Sequence, residues 1–326
     1  MAPIVASQTR SRVMDGSHSK PLPAAVSMTR RAPSGISSTS ALGAAFVMLW
    51  STGYIAGKIA LTHAGAFNLL VVRFAGATLA FALLAALARV GLPHWRAVMH
   101  SAVVGLMSLA LQFGAVYLGV QWGAEVGVAA LVIGAMPLVT AALAPWFGER
   151  ITARQWIGLA LGLAGVLLVL ADRLHFGGAS VGAYLLLVAG LLGISLGTLY
   201  QKRYASNIDA RVGLTVQHAA ATLVLIPFAL HEGLRLDFSP ALAASVGWLI
   251  IVNSVGGFGV LFVLLRRGAA NRVAQLFFLI PPVTAVISYA LLGEQFSLLK
   301  LAGFAVAAGG VYLGTRPAVA GSRSKV

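Results

Sequence analysis

Two stretches decide how this chain is read: Met136-Pro137-Leu138 followed by Gly148-Glu149-Arg150, and Pro281-Pro282-Val283 followed by Gly293-Glu294-Gln295. In each, a proline sits inside an apolar run and a Gly-Glu pair closes that run, and the two copies lie 145 residues apart. A matching offset of 144 to 145 relates Gly158, Gly165, Val166 and Leu168 to Gly303, Gly310, Val311 and Leu313. It also relates Phe113-Gly114 to Phe258-Gly259, Gly123-Ala124 to Gly268-Ala269, Ala77-Thr78-Leu79 to Ala221-Thr222-Leu223, and Lys58 to Lys202. Apolar composition alone does not hold an offset constant over several segments, so the chain is an internal repeat.

The solvent of the repeated unit follows from composition. Of the 326 residues, 59% are apolar and only 10% charged, a balance foreign to water-soluble domains. Apolar stretches of about 20 residues, the length that crosses a bilayer core, recur from Leu42 to Gly314. Breaks at charged, Pro-rich or Gly-rich points give ten spans, near 42–62, 66–88, 98–119, 124–147, 155–171, 180–200, 213–230, 242–265, 272–292 and 298–315. Connections as short as Thr62-His63-Ala64-Gly65 make neighbouring helices antiparallel. Residues 1–40, rich in Ser, Pro, Arg and Ala, read as a disordered tail, and the run from Leu42 reads as a retained helix rather than a cleaved signal peptide. The expected fold is an all-α integral membrane protein of ten transmembrane helices, with a first repeat at 41–175, a second at 176–317 and a short tail at 318–326.

Five helices per repeat is an odd number, so the second repeat enters the membrane from the opposite side. Charge tests this independently. With the N-terminus inside, the cytoplasmic connections carry Arg89, Arg96, Arg150, Arg154, Lys202, Arg203, Arg211, Arg266, Arg267 and Arg272, and the C-terminal tail adds Arg316, Arg323 and Lys325. The external ones carry Arg173, Arg235 and Lys300. The net charge of +15 is therefore a topology signal rather than a sign of nucleic-acid binding, and both termini are expected in the cytoplasm, in a bacterial inner membrane. Inverted repeats point to secondary transport, because two halves can exchange conformations about one central site.

The run Leu49-Trp50-Ser51-Thr52-Gly53-Tyr54-Ile55-Ala56-Gly57-Lys58, then Val72-Arg73-Phe74, Pro137 and Gly148-Glu149-Arg150, resembles the drug/metabolite transporter superfamily and its EamA-type permeases. The resemblance extends over 42–316; the second repeat keeps Pro282 and Gly293-Glu294 but has Gln295 in place of the arginine. It implies export or exchange of small metabolites such as amino acids and related compounds, with a lipid-linked sugar translocase as the alternative within the superfamily.

Ionisable groups inside a bilayer are functional candidates by default. Lys58 and Arg73 fall within spans, Arg73 about 10 Å deep at 1.5 Å per residue. Trp50, Tyr54 and Lys58, at i, i+4 and i+8, share one helix face suited to a substrate with an apolar body and a carboxylate; interfacial anchoring is the bland reading of the same stripe. Gln112, which shares a face with Ser108, Gln217, which matches Arg73 across the repeat, His218, Asn253 and Gln275 complete the expected substrate-binding set, although each also suits helix-to-helix bonding. Gly158, Gly162 and Gly165, with Gly303, Gly309 and Gly310, are expected to serve packing within a repeat, with a homodimer as the lesser reading.

Absences narrow the class further. There is no Cys, the seven His are dispersed with no HExxH, and no carboxylates cluster, so no metal site, no cofactor and no enzyme activity are expected. All eight acidic residues fall in the tail, in connections or at span ends, so no mid-membrane carboxylate carries protons, and coupling is left to His218 or to no ion. The expected partners are a small-molecule substrate and the lipid bilayer.

Overall fold

The computed structural model describes residues 35–148, 151–175, 179–267, 276–294 and 297–315. Its helices are α1 (Gly35–Leu61), α2 (Ala66–Leu87), α3 (Trp95–Gly105, Leu106–Leu111 and Gln112–Gln121) and α4 (Val126–Gly134 and Met136–Leu143, closed by a 3-10 turn Ala144–Phe147). Then follow α5 (Ala153–His175), α6 (Val181–Tyr204), α7 (Ala210–Glu232), α8 (Pro240–Gly247, Trp248–Gly256 and Gly257–Arg266), α9 (a 3-10 turn Phe277–Leu279, then Ile280–Leu292) and α10 (Leu298–Thr315). Seven of these, α1 to α4 and α6 to α8, are long and apolar enough to cross a membrane; α5, α9 and α10 contain shorter apolar helices. α1 begins at Gly35, inside the segment read as tail, and the rest of that tail lies outside the described residues.

The middle segments of α3 and α8, Leu106–Leu111 and Trp248–Gly256, are π-helical. They occupy matching places in the two repeats. The fourth helix of each repeat is also modified at matching places, by the break at Ala135 in α4 and the 3-10 turn before Ile280 in α9, with Pro137 and Pro281 to Pro282 in the first turn of the piece that follows. Pro227, by contrast, lies inside a continuous α7.

Packing has the same twofold pattern. α2 lies against α7 and α5 against α10, while the contact of α3 with α6 is matched by that of α8 with α1, and the contact of α4 with α6 by that of α9 with α1. α5 and α10 meet backbone to backbone: a methyl on Gly158 or Gly165 would run into the main chain of Gly310 or of Gly303 and Ala307. The glycine spacing therefore serves packing between the repeats, not within one as the sequence suggested, because small residues let two backbones approach where lipid supplies no hydrophobic drive.

The Gly-Glu pairs now have a physical account. Gly148 and Gly293 end α4 and α9 in the left-handed region, at φ +83° and +69°, where a side chain would be strained. Glu294, turned back by that cap, accepts hydrogen bonds from the Val126 and Gly127 amides at 2.6 and 3.0 Å, and so caps the first turn of α4 in the other repeat. Glu149, Arg150 and Gln295 lie outside the described residues.

Candidate functional site

One end of the bundle holds the starts of α2, α4, α6, α8 and α10. At this end carboxylates join the repeats. Glu232, at the end of α7, accepts from the amides of Ala66 and Phe67, both at 2.9 Å, from that of Asn68 at 3.3 Å, and from Asn68 Nδ2 at 3.2 Å. Gly65 stands at this helix start because a methyl there would sit 2.4 Å from the Glu232 carboxyl carbon. Beside it, the Gly65 amide donates to the Arg235 carbonyl and the Asp237 amide to that of His63, forming an antiparallel bridge between Ala64 and Leu236. Lys300, assigned by sequence to an external connection, is buried in the first turn of α10 and pairs with Glu125.

Below this sealed end lies a cavity of about 230 Å³. Its wall runs from Tyr117 and Ala130 through the middle of the bundle to Thr198, Gln201 and Leu261, towards the opposite end that carries Arg89, Arg96, Lys202, Arg203 and Arg211. Of the expected site residues, Trp50, Tyr54, Arg73, Gln112, Gln217, His218 and Asn253 line it together. Lys58 does not: its ammonium leaves the stripe and points at the Val120 carbonyl, 3.5 Å away, because the helix turns it toward the sealed end. Gln275 lies outside the described residues.

Arg73 is the centre of the wall. It is 3% exposed, donates to Tyr117 Oη at 2.8 Å and to Asn253 Oδ1 at 2.6 Å, and lies over the Phe113 ring at 4.5 Å. Both partners are seated by glycines of α1, since a methyl on Gly57 would meet the Tyr117 hydroxyl at 2.7 Å and one on Gly53 the Asn253 amide at 2.4 Å. The fixed Gly53 and Gly57 spacing thus lets side chains of α3 and α8 reach across α1 to hold a guanidinium of α2. No carboxylate pairs with that guanidinium among the described residues, and its buried Nε has no partner. A buried cation held only by neutral groups is costly, and an anion at Nε would offset much of that cost.

The rest of the wall divides by chemistry. Trp50, Phe258 and Phe277 form an edge-to-face aromatic cluster, with Trp50 centroids 5.6 and 5.9 Å from the other two. Gln112 Oε1 is buried without a donor. His218 bonds the Leu214 carbonyl through Nδ1 at 2.8 Å, so that nitrogen carries the proton, and its ring packs on Phe74 and Phe81. Ser108 and Leu109 from one π segment and Asn253 and Ser254 from the other both reach the cavity, as π turns at functional sites often do. Tyr117 and Phe113 are outside the binding set expected from sequence, Phe113 figuring there only as a repeat match; the signal available was the Gly53 and Gly57 pair, a groove in need of large neighbours.

The model of the EamA-like transporter family matches residues 37–171 and again 181–316. The chain belongs to that family. Family membership, with seven long apolar helices, makes it a multi-pass membrane transporter of the drug/metabolite superfamily. It is 26% identical to the inner membrane transporter YedA of Escherichia coli over 78% of this chain and 83% of that one. It is 25% identical to a probable amino-acid metabolite efflux pump of Salmonella typhimurium (82% and 91% covered), and 26% identical to a probable terminal-alkyne amino-acid exporter of Streptantibioticus cattleyicolor (82% and 90%). A crystal structure aligns with a TM-score of 0.60 at 21% identity over 86% of this chain and 96% of the other, a likeness of fold.

Proposed function

We propose that this EamA-family protein exports small carboxylate-bearing metabolites related to amino acids, by alternating access between two inverted five-helix repeats that together make ten spans. The observation that carries the reading is Arg73, a buried guanidinium in a cavity wall with no carboxylate beside it among the described residues and a spare Nε–H. Trp50, Phe258 and Phe277 offer an apolar surface to the body of the same substrate, with Tyr54, Gln112, Gln217, His218 and Asn253 supplying hydrogen bonds. The names of two relatives support the substrate class.

The direction rests on the two ends. By the excess of Lys and Arg, the end opposite the carboxylate contacts and both termini face the cytoplasm. A substrate then enters from inside while the carboxylate contacts hold the outer end shut, and export requires those contacts to part. The twofold exchange of helix contacts supports the inverted arrangement. No described carboxylate lines the cavity, which favours His218 or no coupled ion over an acid-driven carrier.

The test is flux in proteoliposomes. Arg73→Gln removes a charge-assisted hydrogen bond of about 1.5–3 kcal/mol, so uptake of carboxylate substrates should fall roughly tenfold to a hundredfold while neutral analogues change little. Equal loss for both, in protein that elutes and unfolds like the parent, assigns Arg73 to folding and removes the proposed site.

A further inference from the structure

Resting on the reading that Arg73 takes a carboxylate, we infer that the site selects by net charge, preferring a monoanion whose nitrogen is uncharged, such as an N-acylated amino acid, over the free zwitterion. The described wall has one formal charge. Arg73 is the single Lys, Arg, Asp or Glu among the described lining residues. The acids that might have matched an ammonium are engaged elsewhere: Glu125 with Lys300, Asp209 with Arg211, and Glu232 and Glu294 at the starts of α2 and α4. Asp237 sits in the connection before α8, and Asp15, Glu149 and Asp172 fall in the tail, after α4 and at the end of α5.

Summing charge decides the preference. A monoanion leaves the occupied cavity neutral, a zwitterion leaves it at +1, and an amine without a carboxylate leaves it at +2. A low-dielectric interior penalises each uncompensated charge. Two polar atoms that lack a partner among the described wall residues match the same ligand: Arg73 Nε is a charged donor for a carboxylate, and Gln112 Oε1 is a neutral acceptor for one N–H. An amide nitrogen fills that acceptor with a single donor and brings no charge. An ammonium brings three donors and a full charge to it.

Competition against labelled N-acetylphenylalanine, in proteoliposomes of the full chain, tests the inference with thermal stabilisation of the purified protein as a second readout. Unlabelled N-acetylphenylalanine should compete at a concentration at least tenfold lower than phenylalanine, and phenylalanine amide in its protonated form should not compete. Gln112→Leu should cut the advantage of N-acetylphenylalanine over 3-phenylpropanoate, which has no N–H. If phenylalanine competes equally or better and both lose uptake in Arg73→Gln, the aromatic faces hold the ammonium, and the charge rule falls while the carboxylate site stands. If N-acetylphenylalanine binds but Arg73→Gln leaves it unaffected, the carboxylate site itself falls. Failure of all of these probes to bind or compete overturns the inference.

Discussion

The starts of α2 and α7 are equivalent in the repeat, yet their amides are satisfied in different ways. α7 is capped locally by Asp209, whose carboxylate accepts from the Arg211 amide at 2.9 Å and pairs with the Arg211 guanidinium. α2 has Gly65 at the matching position and takes acceptors from Glu232 of the other repeat, with Gln121 of its own repeat sharing the Ala66 amide. The residue matching Glu232 in the first repeat is Ala88, which has no acceptor to offer. Among the described residues, no backbone hydrogen bond joins the connections 88–94 and 205–209, whereas the connections at the sealed end share two. One end of the α2 and α7 pair is tied across the repeats and the other satisfies itself. The difference locates where motion must break bonds and where it need not.

The largest break in that comparison is Glu232→Ala. It takes the carboxylate from the Phe67 and Asn68 amides, leaves the Ala66 amide to Gln121 and Asn68 Nδ2 to the Gly233 carbonyl, and should lower stability by about 2–4 kcal/mol. It should also open the sealed end: because the chain has no cysteine, a lone Val116→Cys in the cavity wall should react with a membrane-impermeant thiol reagent from that side in the Glu232→Ala background and not in the parent. An unreactive cysteine would show that Glu232 holds a helix start and nothing more.

Gly65→Ala tests the same contact from the other partner. The added methyl meets the Glu232 carboxyl and should cost about 1–3 kcal/mol, measured by thermal unfolding in detergent, with an accessibility change in the same direction as Glu232→Ala. Combined with Glu232→Ala the cost should be far less than additive, since both remove one interaction.

Asp209→Ala should have the smallest effect, about 0.5–1 kcal/mol, because the cap is solvent-accessible, and it should leave Val116→Cys unreactive. The hydrogen bond from Arg211 holds the Asp209 carboxyl below its ordinary range, against the opposing effect of its desolvation. A lowered carboxylate contributes stability above its unfolded value of about 3.9 and loses it as pH falls through the folded value. The difference between Asp209→Ala and the parent should thus be full at neutral pH and shrink in acid; a difference that grows in acid would contradict the assignment.

Much of this architecture is legible in the sequence because hydropathy and the repeat offset report on whole segments. Apart from α1, which starts inside the segment read as tail, the described helices follow the apolar runs that announced them, and Gly148 and Gly293 stop helices where the Gly-Glu pairs stand. The candidate site was legible where a costly residue betrays itself: Arg73 lies too deep for easy snorkelling, and it lines the cavity. Lys58 shows the limit, since i, i+4, i+8 spacing gives a shared face but not where the neighbours stop. Tyr117 was hidden for the opposite reason, being unremarkable until Gly57 brings it against Arg73. The partner of the α5 glycines was also invisible, because small-residue spacing states that a backbone comes close without naming whose.

The paired π segments carry a consequence for how this gene tolerates change. A π turn holds one residue more than α geometry uses, so each third helix stores a spare position beside the cavity. Deleting Leu111 lets α3 close as an ordinary helix, a change its hydrogen-bond ladder accepts, and because the lost residue is the spare one, the side chains on either side keep their relative directions. Ser108 and Tyr117 then still address the same space. A single-codon loss inside Leu106–Leu111 should therefore yield protein that inserts, folds and keeps part of its transport, whereas the same loss in an uninterrupted span such as α2 turns all side chains beyond it by about 100° and should abolish folding altogether.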